Sequence, residues 1–194
     1  TEGARALATE DFQATRCGSL RFRPAMKLAL TGRRQMRTGK HPGIKAVVRM
    51  SPGEAGIKRA QVRLPRTLAL DPANARALCE FEDGTRPDLE SHCPAGSIVG
   101  RARATTPLLN RPLEGDVYFV KNIRIDPRSG AQRRTLPMIV VALRGEIDIN
   151  IYGQSDAIGG RLVSTFESIP DAPVSRFDLT IDGGSRGIVA VTRS

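Results

Sequence analysis

The sequence predicts an all-β protein, an antiparallel β-sandwich of the immunoglobulin-like or Greek-key type with one short helix. A closed or partly open β-barrel is the alternative. Three observations carry this. Met138 to Leu143, MIVVAL, is continuously apolar and rich in β-branched residues, as a strand buried on both faces is. Beyond Arg144 and Gly145 the pattern changes: Ile147, Ile149 and Ile151 alternate with Glu146, Asp148 and Asn150, which describes a half-buried strand with one wet face. The remaining chain divides into short strand-like runs, about ten in all, with turn signals every eight to twelve residues or so.

From the N-terminus, residues 1–15 are small, polar and unpatterned and read as a linker or an arm that packs on its own domain or on an adjacent repeat or subunit. Residues 16–194 form the domain, with a possible division into two packed β subdomains near 107–115. Leu20 and Phe22 alternate with Arg21 and Arg23; Met26, Leu28 and Leu30 alternate with Lys27, Ala29 and Thr31. Gly32 to Gly43 is a turn-rich loop that crowds Arg33, Arg34, Arg37 and Lys40 at one tip, and Ile44 to Met50 is the returning strand. Ile57 to Leu64 is a strand with Ala60, Val62 and Leu64 inward, stopped by Pro65. Leu68 to Leu78 breaks the β rhythm. Asp71 as N-cap and Pro72 as first helical residue predict one or two helical turns there, the chain's one helix. Cys79 to Pro94 is a polar loop. Ile98 to Thr106 is a strand with Gly100, Ala102 and Ala104 on one face and Arg101 and Arg103 on the other; Val117 to Val120 is another. Ile123 to Thr135 is a charged hairpin loop ahead of the central pair. Leu162 to Phe166, Val174 to Ile181 and Gly187 to Val191 complete the set, with a hairpin turn at Asp182-Gly183-Gly184.

The 194 residues suffice for a core, and with no Trp and 4% aromatics that core is built from Val, Ile, Leu and Ala. A net charge of +10 favours anionic partners such as nucleic acid, acidic cell-wall polymers or lipid headgroups. Arg supplies 25 of the 30 basic residues, so the coding habit of a GC-rich genome accounts for the same charge. No apolar run reaches the length of a membrane-spanning helix. A start at Thr1 reads as a piece of a longer polypeptide.

Cys79 and Cys93 enclose a polar loop without any Cys-x-x-Cys spacing, which favours a disulfide in an oxidising compartment over a metal pair. Cys17 is then a buried thiol, or it pairs beyond Ser194. Gly153-Gln154-Ser155-Asp156-Ala157 faintly resembles a nucleophile elbow. The elbow needs a helix after the serine, which Ile158-Gly159-Gly160 cannot supply, and a later histidine, whereas His41 and His92 both precede it; the segment reads as a polar turn. Asp148-x-Asn150 followed by Gly153 starts like a calcium loop, but Gly159 stands where the bidentate Glu belongs. Asp156, Asp171 and Asp182 read as turn formers, with calcium held between loops as the alternative. The basic loop lacks the interleaved aromatics of a nucleic-acid binder, so it is a candidate for phosphate-rich polymers or simply a solvated loop. The pattern calls for no cofactor, metal or catalytic residue.

Several segments together are similar to a tandem β-rich repeat of large secreted actinobacterial surface proteins: Cys93-Pro94-Ala95-Gly96-Ser97-Ile98-Val99-Gly100-Arg101-Ala102, Thr106 to Leu109, Pro112 to Tyr118, Leu136 to Gly145, Ser164 to Phe166, Pro170 to Ser175, and Phe177 to Gly187. The likeness spans roughly Cys17 to Thr192. It implies an extracellular or cell-surface location, repeated β-rich units and no active site to carry over, and a further Cys after the last strand as the partner of Cys17. The leading expectation is a non-catalytic structural or adhesive module, a repeat or fibre subunit, whose partners are neighbouring repeats or copies. A binding module for an anionic polymer, cell-wall glycopolymer or nucleic acid, is the second expectation, and an unrecognised hydrolase the third.

Overall fold

The computed structural model describes residues 20–126, 128–167, 169–170 and 172–192. In chain order the strands are β1 (Ala25–Thr31), β2 (Gly43–Arg49), β3 (Ala60–Arg63), β4 (Leu68–Leu70), β5 (Ile98–Thr105), β6 (Leu113–Val120), β7 (Ile123–Ile125), β8 (Gln132–Arg134), β9 (Met138–Leu143), β10 (Ile149–Ile158), β11 (Arg161–Phe166), β12 (Arg176–Ile181) and β13 (Val189–Val191). Nine of them form one curled antiparallel sheet, ordered β1-β2-β12-β5-β6-β9-β10-β11-β3. Strands from both sides of 107–115 are interleaved within it.

The sheet curls around an aliphatic core. Alternate residues of neighbouring strands fall in register on its concave face: Ile44 opposite Ile181, Ala46 opposite Leu179, Val117 opposite Val141. A bulge between Ile98 and Gly100 lets Val99 join this face as well. The small ribbon β4–β13 lies against the concavity and supplies Leu68, Val189 and neighbouring Ile188 to the same core. It is the second layer of the predicted sandwich, reduced to two strands.

β9 is interior, paired to β6 on one side and β10 on the other, and none of its residues is more than 9% exposed. Ile139, Val141 and Leu143 enter the concave core. Met138, Val140 and Ala142 point to the convex face and join a second cluster with Tyr118, Val120, Cys79, Leu89 and Cys93. The segment between the cysteines is therefore a lid on the convex face. It contains a short helix, α1 (Phe81–Gly84), and a 3₁₀ turn at Leu89–Ser91. Gly84 is needed where α1 meets β6, since a Cβ there would stand 2.3 Å from Val120 Cγ1.

Several expectations are corrected. The segment 79–94 is not an open polar loop: burying Leu89 and the cysteines folds it into helical turns. Asp71 does cap a turn, its side chain accepting from the Ala73 N–H, but that turn is a single 3₁₀ turn at Pro72–Asn74, and Leu68–Leu70 just before it is a strand. The wet strand begins at Ile149 rather than Glu146, with Ile147 49% exposed in the turn. It then runs through Gly153 to Ile158, so that segment is strand and not turn. Gly153 is tolerated because the Phe166 ring of β11 fills the place of its missing side chain, 2.4 Å from where a Cβ would sit. Asp182-Gly183-Gly184 does not close a hairpin: β12 pairs with β2 and β5, whereas β13 pairs with β4. Leu20 and Phe22 precede β1 and are 52% and 55% exposed.

Val140 has zero exposure and faces the lid. Val140→Asp is expected to abolish folding, because an unpaired buried charge costs several kcal/mol out of a typical total of about 5–15 kcal/mol. A soluble variant with dispersed amide NMR resonances would disprove the two-faced burial of β9.

Candidate functional site

Two regions carry the residues that the sequence marks out: the cysteine-bounded lid and the basic loop. In the lid, the sulfurs of Cys79 and Cys93 are bonded, 1.98 Å apart. Cys79 is tied to β6 on both sides, its N–H donating to Phe119 O at 3.0 Å and its carbonyl accepting from Lys121 N–H at 2.9 Å. Glu80 forms an ion pair with Lys121.

Opposite the disulfide the lid is held by Arg144, just past the end of β9. Its guanidinium reaches both Glu90 oxygens at 2.6 Å and donates to Pro87 O at 2.9 Å and Asn150 Oδ1 at 2.9 Å. Asn150 donates in turn to Arg86 O at 3.0 Å and Pro87 O at 3.1 Å, and the Tyr152 hydroxyl to Thr85 O at 3.3 Å. The Arg144 guanidinium holds the Glu90 carboxyl below the usual carboxylate range, and Glu90 raises Arg144 in return. The His92 ring, 3.2 Å away, likewise lowers Asp88. The groove of about 370 Å³ lined by Asp88, Glu90, Arg144, Asp148 and Asn150 is thus built around a clamp in which Arg144 binds both Glu90 and Asn150.

The convex face of β12, β5 and β6 carries a second, shallow trough of about 440 Å³. Its charges are also paired: Arg101 with Asp116, Arg103 with Glu114, and Arg176 with Asp178, which Arg176 holds below its ordinary range. Asp156 accepts both its hydrogen bonds from Arg124 at 2.9 Å, and Asp182 pairs with Arg186 at 2.8 Å. Ser155 is 1% exposed within β10. Asp171, Cys17 and the arm 1–15 lie outside the described residues. Among the described residues no three His, Cys, Asp or Glu side chains gather as a metal-binding group.

The basic loop is a fixed platform. Gly32 and Gly39 adopt φ of 86° and 75°, a conformation that other residues resist, and they fold the segment back on itself. Gly39 N–H donates to Val191 O at 2.8 Å and Val191 N–H to Lys40 O at 2.9 Å, so the loop adds itself to the ribbon beside β13. His41 binds Asp71 at 2.8 Å, and Asn74 donates to Gly184 O and Gly187 O at 3.0 and 2.7 Å. Arg33 and Arg34 sit in a 3₁₀ turn, Arg37 and Lys40 in the bend that follows, and all four are exposed. Among the described residues, no acidic side chain forms a salt bridge with any of them. The sequence reading singled out these four and missed Lys27, Lys45 and Arg49 of the same hairpin, whose signal is the lack of any Asp or Glu between Asp11 and Glu54.

The two fastenings of the lid are separable. Replacing Cys79 and Cys93 together by Ser should lower unfolding stability in urea by about 3 kcal/mol at any pH. Glu90→Gln should act only where Glu90 is ionised. Its folded-state pKa is depressed, so its contribution is present above about pH 4.3 and lost as pH falls through the lower folded value. Wild type and Glu90→Gln should therefore converge in acid; a gap that persists there would disprove the ionic clamp. Compared with protein-family models, curated proteins and solved structures, the chain matches none.

Proposed function

We propose that the chain is a non-catalytic structural or adhesive module of a secreted or cell-surface protein. The carrying observation is the Cys79–Cys93 disulfide, which fastens the lid over one face of β9. Disulfides persist in oxidising compartments and are rare in the cytosol. The ion pair of Glu90 with Arg144 supports the same reading, because each shifts the other's pKa while joining the lid to the sheet. The resemblance to repeats of secreted actinobacterial surface proteins points the same way, with neighbouring repeats as the natural partners.

A second reading, contact with an anionic polymer, is favoured by the exposed Arg33, Arg34, Arg37 and Lys40 on their fixed loop. It requires binding to polyphosphate beads that weakens with salt and with alanine at all four positions; binding indifferent to both would sink it.

The structural reading is tested on intact cells that make the protein. An antibody to the module should detect it in the medium or on the cell surface, where external trypsin removes it, with Cys79 and Cys93 blocked to thiol reagents. Recovery only after lysis, with both thiols free, would refute it.

A further inference from the structure

The end of the sheet at β1 combines three features: an open strand edge, an uncovered apolar row and a hairpin without acidic residues. Among the described residues no strand pairs with the outer edge of β1, so every second residue of Ala25–Thr31 directs its N–H and C=O away from β2. On the concave side this edge is apolar and only partly covered: Met26 and Leu28 are 52% and 42% exposed, with Leu20 and Phe22 just before them. They continue rows that are buried further in, Met26 opposite Val48 and then Phe177, Leu28 opposite Ala46 and then Leu179. The hairpin is also uniformly cationic. Residues 20–50 hold Arg21, Arg23, Lys27, Arg33, Arg34, Arg37, Lys40, Lys45 and Arg49, and no Asp or Glu.

We propose that the outer edge of β1 is a docking site for an extended acidic segment of a partner protein, which adds as a tenth strand. Main-chain hydrogen bonds to the free edge would supply affinity. Because side chains alternate along a strand, one set of the segment's residues would lie over Met26 and Leu28 and prolong the concave core, and these should be apolar. The other set would share a face with Lys27, Lys45 and Arg49, and these should be acidic. Arg21 is held in place by the bond from Ala55 N–H to its carbonyl at 2.9 Å, and Arg33 by its 3₁₀ turn, so fixed cations flank both ends of β1. A lipid surface suits this edge less well, because bare backbone groups are costly to bury in hydrocarbon. The proposal goes beyond the structural-module reading and does not depend on the compartment.

The test uses the whole chain and a capped octapeptide of alternating Glu and Val. The peptide should bind and slow hydrogen exchange at Ala25–Thr31. Replacing Glu by Lys, or methylating every amide nitrogen, should weaken binding at least tenfold. Met26→Thr with Leu28→Thr should do the same without loss of fold, as both side chains are already exposed. Equal binding of the methylated peptide, or of polyphosphate in its place, would show simple charge attraction and overturn the proposal. Protection of β1 by phosphatidylglycerol vesicles but not by the peptide would overturn it in favour of a membrane. Full protection of every β1 amide in the free protein would overturn it in favour of the chain's own N-terminal residues.

Discussion

A strand apolar on both faces cannot be half of a simple amphipathic sheet, and β9 imposes that condition on the whole chain. Its odd-numbered residues enter the concave core, which the curl of the nine-stranded sheet and the ribbon β4–β13 readily close. Its even-numbered residues face outward, so the fold must find a second cover. The cover is a segment of sixteen residues or so with few apolar side chains, chiefly Phe81, Leu89 and the two cysteines. Such a patch buries too little to hold itself down. The disulfide and the Arg144–Glu90 clamp are the physical answer: one removes chain entropy from the loop, the other grips its backbone carbonyls through groups on β10 and just beyond β9. Both follow from Met138, Val140 and Ala142 needing shelter.

That demand was legible in the sequence; the means of meeting it were legible only in part. A continuous apolar run reports burial on both faces but not what does the burying. The cysteine pair was readable because two cysteines bracketing a loop have few other uses. Arg144 was not: before folding, an arginine between a strand and a glycine is only a boundary, and Glu90 and Pro87 stand 50 residues or more away in sequence. Local pattern failed in a similar way at Gly153 to Ala157. Gly, Gln, Ser and Asp are turn formers by habit, yet here they lie in a strand whose polar side chains find partners in the segment after β6, Gln154 with Asn122 and Asp156 with Arg124. The reverse error at Asp182 to Gly184 has the same origin. The turn chemistry is real, but a turn does not state that the strands beside it pair, and β12 was already occupied on both edges.

Charge is divided as unevenly as hydrophobicity. The acids are concentrated in the frame, where Asp116, Glu114, Asp178, Asp156, Asp182 and Glu90 each face an arginine. The first hairpin has none. A surplus of +10 is therefore not spread over the surface as a coding bias alone would spread it, but is gathered at one end of the sheet. Its platform is rigid, because the loop between β1 and β2 is stitched to β13 and through His41 to Asp71.

The two ends of the sheet bear on how copies can meet. β3, the other edge, carries Arg63, which donates to Gln61, and is flanked by Lys58, Arg59 and Arg66, of which Arg59 pairs with Glu167. Pairing β1 of one copy with β3 of another would bring two basic edges together, and like charges on adjacent strands oppose such pairing. Charge thus works against extension of the sheet by its own copies, although among the described residues both edges leave backbone groups to be satisfied. An acidic strand meets no such barrier at β1 and gains the uncovered apolar row besides. On the docking proposal, the charges that would oppose edge-to-edge pairing of identical modules would favour a partner of opposite sign, and neighbouring repeats joined in one chain would touch through other surfaces.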